Sequence, residues 1–359
     1  MDGLRSQFPV LERLAYLNAG TNGPVPGRAL AAAEASIRSQ VEDGRAGKAF
    51  MDAMVGRADE LRARVASLIG ADQAEVALNG ATTDGVNAVL LAHDLRPGDE
   101  ILTSDEEHPG VLAPLAAARA DRGVRLRVVP FDEVAGAVRP DTRMVVCSHV
   151  SWKTGKVVDA AALAGTGRPV LLDGAQGLGA VPVDVGALGC DFYAASGQKW
   201  LCGPNGIGYL YARAERIEGL RAPWPGFHAV EDPHDPLRSP LQPDARRLGT
   251  GYPAYHQLEW AHAALDVFEE AGMGAVQERA VELAAQLASR LGERGATVVA
   301  RGRSTLVSFE VADPPAAAER MFGEGIVLRH LPGTPYLRAS VGAWNTEEEV
   351  ERLTALVAR

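Results

Sequence analysis

Between residues 75 and 211 the chain alternates short apolar runs with helical stretches, and nothing else in the sequence restricts its fold as much. The runs recur at 75–78, 100–103, 125–129, 144–147, 170–172, 192–194 and 207–211. Each is too short for a helix and suits a buried strand. Helical patterns separate several of them, at 84–92, 110–121 and 160–164. Just upstream, Ala58, Leu61, Val65 and Leu68 share one face of a helix over 56–69. Strands alternating with helices predict an α/β chain with a mainly parallel sheet covered on both faces.

The pattern changes after this stretch. Residues 223–247 are rich in Pro, His and Asp, lack periodicity and predict a long surface loop. Two helices at 254–271 and 276–291 follow, then strands at 298–300 and 306–311. A last helix over 347–358 is opened by Asn345-Thr346, with Glu349 three residues after Thr346 as a capping box requires. These elements suit a second, smaller α/β domain, as expected for a chain of 359 residues. The expected division is 21–249 for the large domain and 1–20 with 250–359 for the small one.

A formal net charge of −10 and the lack of a Lys/Arg-rich block argue against nucleic acid as a partner. No apolar run reaches 18 residues, and the N-terminus lacks the basic-then-apolar pattern of a secretory signal. A cytoplasmic protein with no membrane partner is the expectation. Cys147, Cys190 and Cys202 show no metal-ligand spacing, so they read as buried free thiols in a reducing compartment, with no metal site.

The chemistry concentrates in residues 170–211. Asp173 ends an apolar run, which places its carboxylate at the C-terminal end of a buried strand, where open α/β sheets bind ligands. A carboxylate there needs a cation. A pyridinium nitrogen is one such partner; a helix cap or structural ion pair is the plain alternative. Lys199 follows the run 192–194 and the small residues Ala195-Ser196-Gly197. Burial there lowers a lysine pKa and makes the amine a nucleophile. A third patch, Asn79-Gly80-Ala81-Thr82-Thr83, opens a helix directly after a strand. Its free N–H groups and the two threonine hydroxyls can hold a phosphate, or serve only as a helix cap.

Asp173-Gly174-Ala175-Gln176, Ser196-Gly197-Gln198-Lys199, Ala81-Thr82-Thr83 and the tail Arg338-Ala339-Ser340 with Asn345-Thr346 together resemble the class V aminotransferase and cysteine desulfurase family of fold-type-I pyridoxal 5′-phosphate (PLP) enzymes. The resemblance extends from Tyr16-Leu17-Asn18 to the last helix. It implies a large domain built on a mainly parallel seven-stranded sheet, plus a smaller α/β domain. It implies Lys199 as the covalent cofactor lysine, Asp173 at the pyridinium nitrogen and Gln176 at the ring's 3-hydroxyl oxygen. Ala81, Thr82, Thr83, Ser196 and Gln198 are assigned to the phosphate, and Gln198 departs from the histidine many relatives carry. His108 is assigned to the ring face, and Arg338 to the substrate α-carboxylate. Thr250 is assigned to the phosphate of a neighbouring subunit, which implies a homodimer with shared sites. Thr21, Asn22, Trp224, His228 and Tyr252 either line the substrate pocket or pack a dimer surface, with Asn22 taken as the substrate contact.

The family's desulfurases present a mobile cysteine shortly before the carboxylate arginine. Here the stretch 329–336 holds none, and no cysteine follows Cys202. Trp152 stands where desulfurases carry Asn. Trp152-Lys153-Thr154-Gly155, Glu107-His108-Pro109-Gly110 and Lys199-Trp200-Leu201-Cys202 are similar to the cystine/cysteine C–S lyase branch, and isopenicillin N epimerase-like proteins share the last of these. The reaction implied is α,β-elimination from a sulfur-containing amino acid. Transamination and epimerisation start from the same carbanion, and a catalytically idle binding protein is the non-enzymatic alternative.

Overall fold

The computed structural model describes residues 2–357. Its main sheet comprises β1 (Val76–Asn79), β2 (Glu100–Ser104), β3 (Arg125–Val129), β4 (Thr142–Ser148), β5 (Val170–Asp173), β6 (Phe192–Ser196) and β7 (Gly208–Ala212). Their order is β1-β7-β6-β5-β4-β2-β3, and all strands run in one direction except β7, which is antiparallel to both β1 and β6. Successive residues of the central strands enter opposite cores. Leu172, Tyr193, Cys147 and Leu102 face one side, and Leu171, Phe192, Val146 and Ile101 the other. A strand buried on both faces reads as an unbroken apolar run, which is why these strands were legible in the sequence.

The helices of ten residues or more are α1 (Gly27–Glu42), α2 (Gly47–Ile69), α3 (Thr82–Ala92), α4 (Pro109–Arg122), α5 (Tyr255–Ala271), α6 (Met273–Glu293), α7 (Pro314–Gly323) and α8 (Glu347–Val357). Helix α1 has no counterpart in the sequence reading, because its buried residues are the small Ala29, Ala33 and Ser36. Small residues give a faint helical pattern. The capping box of α8 forms as expected: Glu349 N donates to Thr346 Oγ1 at 3.2 Å, and Thr346 N donates to Glu349 Oε2 at 3.1 Å. No helix among the described residues is long and apolar enough to cross a membrane.

A second sheet has the order β9-β10-β8, all antiparallel, from β8 (Leu306–Glu310), β9 (Arg329–His330) and β10 (Tyr336–Ser340). The strand expected over 298–300 reduces to one bridge, Val298 to Phe309. Beyond it the chain leaves the sheet, and Gly302 N donates to Gly155 O at 3.1 Å. The expected loop is present: 223–244 holds no helix or strand, only a bridge between Val230 and Leu241.

Candidate active site

A cavity of about 340 Å³ opens between the C-terminal ends of the main-sheet strands and the second sheet. Its lining brings together Ala81, Thr82, Thr83, His108, Asp173, Gln176, Ser196, Gln198, Lys199 and Arg338. These are distant in sequence and meet because parallel strands deliver their following loops to one sheet edge.

At one end of the cavity, α3 begins with Ala81 as its N-cap, so no side chain caps it. Thr82 Oγ1, Ser196 Oγ and Gln198 Oε1 are all buried without a hydrogen-bond partner. The two hydroxyls can donate, and unpaired buried donors beside a helix N-terminus mark an anion site, to which the Gln198 amide oxygen, an acceptor, adds nothing. The helix-cap alternative for the threonines therefore fails, since Thr82 caps nothing. A phosphate fits this end.

Asp173 is the last residue of β5 and is buried. Its Oδ1 accepts from Ala175 N at 2.8 Å, and among the described residues no ion pair reaches it. Burial raises its pKa, and the Lys199 charge pulls the other way. A buried carboxylate with one hydrogen bond lacks the cation it needs, and a pyridinium nitrogen fits. The turn behind it is shaped by a buried pair: His149 Nδ1 and Tyr193 Oη lie 3.0 Å apart beneath Gly174 and Gly177. A Cβ at Gly177 would come within 2.6 Å of His149 Nδ1, so the turn requires glycine there. Gln176 Nε2 donates to Gly20 O at 2.8 Å and retains a second N–H. Its Oε1 accepts from Trp200 Nε1 at 3.0 Å.

Lys199 lies on the turn after β6, which the N-terminal loop clasps where Gly23 N donates to Gln198 O at 2.8 Å. Burial lowers the Lys199 pKa to about 8; Asp173 opposes this, while Arg338 and Arg329 add to it. His108 has its pKa lowered to about 4, first by burial and then by Lys199 and the two arginines. Its Nδ1 accepts from Gly110 N at 3.0 Å, which puts the proton of the neutral ring on Nε2.

Arg338 is on the central strand β10, with Leu337 and Ala339 turned into the small core. Alternation along the strand therefore sends Arg338 to the cavity. It is buried, and its pKa falls to about 9 through burial and then Arg329. Arg329 is its cross-strand partner and also lines the cavity. Thr21 Oγ1 accepts from Arg329 Nη1 at 3.2 Å and Arg338 Nη2 at 3.5 Å. Like charges opposite each other on a sheet repel. Two such guanidiniums without a carboxylate between them form an anion site.

Arg329 escaped the sequence reading, because only the register of β9 and β10 makes it face the cavity. Asn22 is exposed and outside the lining, and Thr21 stands beside the arginines instead. Thr250 is also exposed and outside this cavity, its N donating to Leu78 O at 3.2 Å. His228 and Tyr252 border a separate hollow with Arg62 and Arg246, and Trp224 packs against one core of the main sheet.

Glu107 was also missed, since a carboxylate beside a histidine gives no sign of burial in the sequence. It accepts from Ser104 Oγ at 2.5 Å, Ser148 N at 3.0 Å and Ser148 Oγ at 2.6 Å, tying β2 to β4. Burial raises its pKa to about 7. A carboxyl whose pKa is raised on folding favours the fold while protonated, and loses that contribution as pH rises through the folded value. Glu107→Gln is therefore expected to melt above the wild type at about pH 8, and close to it at about pH 5. Equal Tm differences at both pH values would contradict this.

Cavity, cradle and buried carboxylate define the site of a fold-type-I PLP enzyme. A family model for aminotransferase class V matches residues 16–353, and the chain belongs to that family. It is 30% identical to a cysteine desulfurase of Klebsiella pneumoniae subsp. pneumoniae across 100% of this chain and 98% of the relative. It is 31% identical to an isopenicillin N epimerase of Amycolatopsis lactamdurans, covering 97% and 96% of the two chains. Among solved structures, the cystine C–S lyase C-DES with its product cysteine persulfide superposes with a TM-score of 0.92 at 28% identity, covering 98% and 99%. A C-DES lysine-to-alanine mutant with glycine covalently linked to the PLP cofactor gives 0.93, also at 28%, covering 99% and 98%. The protein is thus a PLP-dependent enzyme acting on an amino acid.

Proposed function

We propose that the protein is a C–S lyase that eliminates the β-sulfur of a cystine-like L-amino acid without a persulfide cysteine. The observation carrying this is the pair Arg329 and Arg338, side by side in a cavity that no cysteine lines. Cystine bears two carboxylates, and its cleavage needs no protein thiol. Cys147, Cys190 and Cys202 are all buried, and burial raises the pKa of each. Buried protonated thiols are poor sulfur acceptors.

PLP, when bound, supplies the electron sink that makes the substrate α-proton acidic. Thr82, Thr83, Ser196 and Gln198 hold its phosphate with the N-terminus of α3 behind them. Asp173 pairs the ring nitrogen, Gln176 offers its free N–H to the 3-hydroxyl oxygen, and neutral His108 covers the ring. Arg338 takes the α-carboxylate and Arg329 the distal one. Lys199, with its depressed pKa, removes the α-proton as a free amine.

The assembly follows the same reading. A homodimer brings Thr250 of one subunit to the phosphate of the other. Asn18 bridges Ser340, and Ala15–Tyr16 pairs with Ile326–Val327, which supports assigning 1–20 to the small domain with 250–359. Thiols kept reduced suit the cytoplasm.

The test is a panel of L-cystine, L-cysteine and other L-amino acids scored for pyruvate, for keto-acid-dependent amino transfer and for inversion at Cα. Pyruvate from L-cystine, with no sulfur added to the intact protein mass, is expected. Amino transfer without pyruvate would move the protein to the transaminases, and inversion alone to the epimerases. A protein that takes up no PLP would be an idle binding protein.

A further inference from the structure

Trp152 lines the cavity in the turn that follows β4. Its main-chain carbonyl accepts from Arg338 Nη1 at 2.7 Å, so the indole springs from the wall beside the carboxylate site. The ring meets the His108 imidazole edge-on, with centroids 5.0 Å apart and planes at 87°. The turn itself is braced. Glu106 Oε2 accepts from Ser151 Oγ at 2.5 Å and from Thr154 Oγ1 at 2.6 Å, and Ser151 Oγ accepts from Thr154 N at 3.1 Å. Such bracing holds a side chain in place for a ligand rather than letting it swing.

The indole Nε1 is buried and donates to nothing. A buried donor left unpaired is costly, and in a binding cavity it points to an acceptor on the ligand. The unpartnered lining atoms fall into two sets. The hydroxyls Thr82 Oγ1 and Ser196 Oγ stand at the phosphate end, while the donors Trp152 Nε1 and Arg338 Nε stand at the substrate end. With the α-carboxylate on Arg338, the β-substituent is the part of the substrate left to meet the indole.

We propose that the Trp152 indole N–H is the hydrogen-bond donor to the departing β-sulfur, and so selects substrates whose leaving group carries negative charge on sulfur. This rests on the elimination reading above. In that step the α-proton moves to Lys199 Nζ and the Cβ–S bond breaks with its electron pair leaving on sulfur. The Cα–Cβ double bond forms from the electrons of the Cα–H bond. The sulfur anion is held by the indole until it takes the proton that Lys199 removed. Overall, the substrate and one water give the thiol, pyruvate and ammonia. An indole N–H does not ionise at these pH values, so it stabilises the anion without competing for the proton.

The experiment compares wild type with Trp152→Phe on L-cysteine S-conjugates, from alkyl thiols of high pKa to aryl thiols of low pKa, scored by pyruvate. Phenylalanine keeps an aromatic wall and removes only the donor. The expected loss in kcat/KM is roughly 10- to 100-fold for alkyl thiols, shrinking towards none for aryl thiols, because a basic anion gains most from a donor. L-Alanine has no leaving group, and its affinity, read from the change in cofactor absorbance, should be the same in both proteins. A loss uniform across the series, or an equal loss in L-alanine affinity, would overturn the proposal and leave Trp152 a structural wall. A wild type that eliminates none of the conjugates would defeat the elimination reading and the proposal together.

Discussion

Lys199→Ala is expected to abolish elimination, with turnover down at least ~10³-fold, while the protein stays folded and still takes up PLP non-covalently. On the proposed reading the amine has two jobs, the covalent hold on the cofactor and the removal of the α-proton, and no other cavity side chain is placed to take over either one. His108 cannot be the base with its imidazole Nδ1 engaged by Gly110 N and its pKa near 4. Arginine does not deprotonate usefully at neutral pH. Stability should not suffer, because the cation sits in a site that lowers its pKa to about 8 and so disfavours the charged form. Stopped-flow assays with L-cystine, a thermal melt and the visible spectrum check all three claims. A variant retaining a tenth of wild-type turnover would remove Lys199 from the role of base.

The same pKa sets a pH dependence for cofactor capture by the apoprotein. Lys199 attacks as the free amine, and its lowered pKa means that form grows as pH rises through about 8 and saturates above about 9. The rate of reconstitution with PLP, followed by absorbance, should climb over that window. A normal lysine would still be climbing at about pH 10.

Arg338→Ala is expected to lower kcat/KM by about 10²- to 10⁴-fold, chiefly through KM, since breaking a buried ionic contact on one side costs roughly 3–5 kcal/mol. Arg338→Lys should recover only part of this, because an ammonium keeps the charge and loses the two-pronged fit to a carboxylate. The geometry makes Arg338 the more demanding of the two arginines. It is buried, its Nη1 is committed to Trp152 O, and its Nε has no partner within the protein. Steady-state kinetics of both variants with L-cystine decide the matter. An unchanged KM in Arg338→Ala would place the α-carboxylate elsewhere.

The residues differ in how far the chain itself disclosed them. Asp173 and Lys199 were legible because each follows an apolar run that reads as a buried strand, and a charge in that position calls for a partner. Thr82 and Thr83 were ambiguous between a phosphate cradle and a helix cap, and the unpaired Thr82 hydroxyl, which caps nothing, supports the cradle. Arg338 and His108 entered only through likeness to a family, because an arginine in a short strand and a histidine before Pro-Gly have many ordinary explanations. Arg329, Glu107 and the free indole of Trp152 could not be read at all in those terms.

By itself the sequence determined the alternation of buried strands and helices, a lysine and a carboxylate placed just after two of those strands, and the lack of a cysteine where sulfur transfer would need one. These are local signals, carried by periodicity, residue type and spacing along the chain. Only the tertiary structure decided that Arg329 lies opposite Arg338, that Glu107 is sealed between two strands, and that Thr21 rather than Asn22 reaches the arginines. Those facts depend on register between strands and on which side chains lose contact with water. Both are set by packing between segments far apart in the chain, which no local pattern encodes.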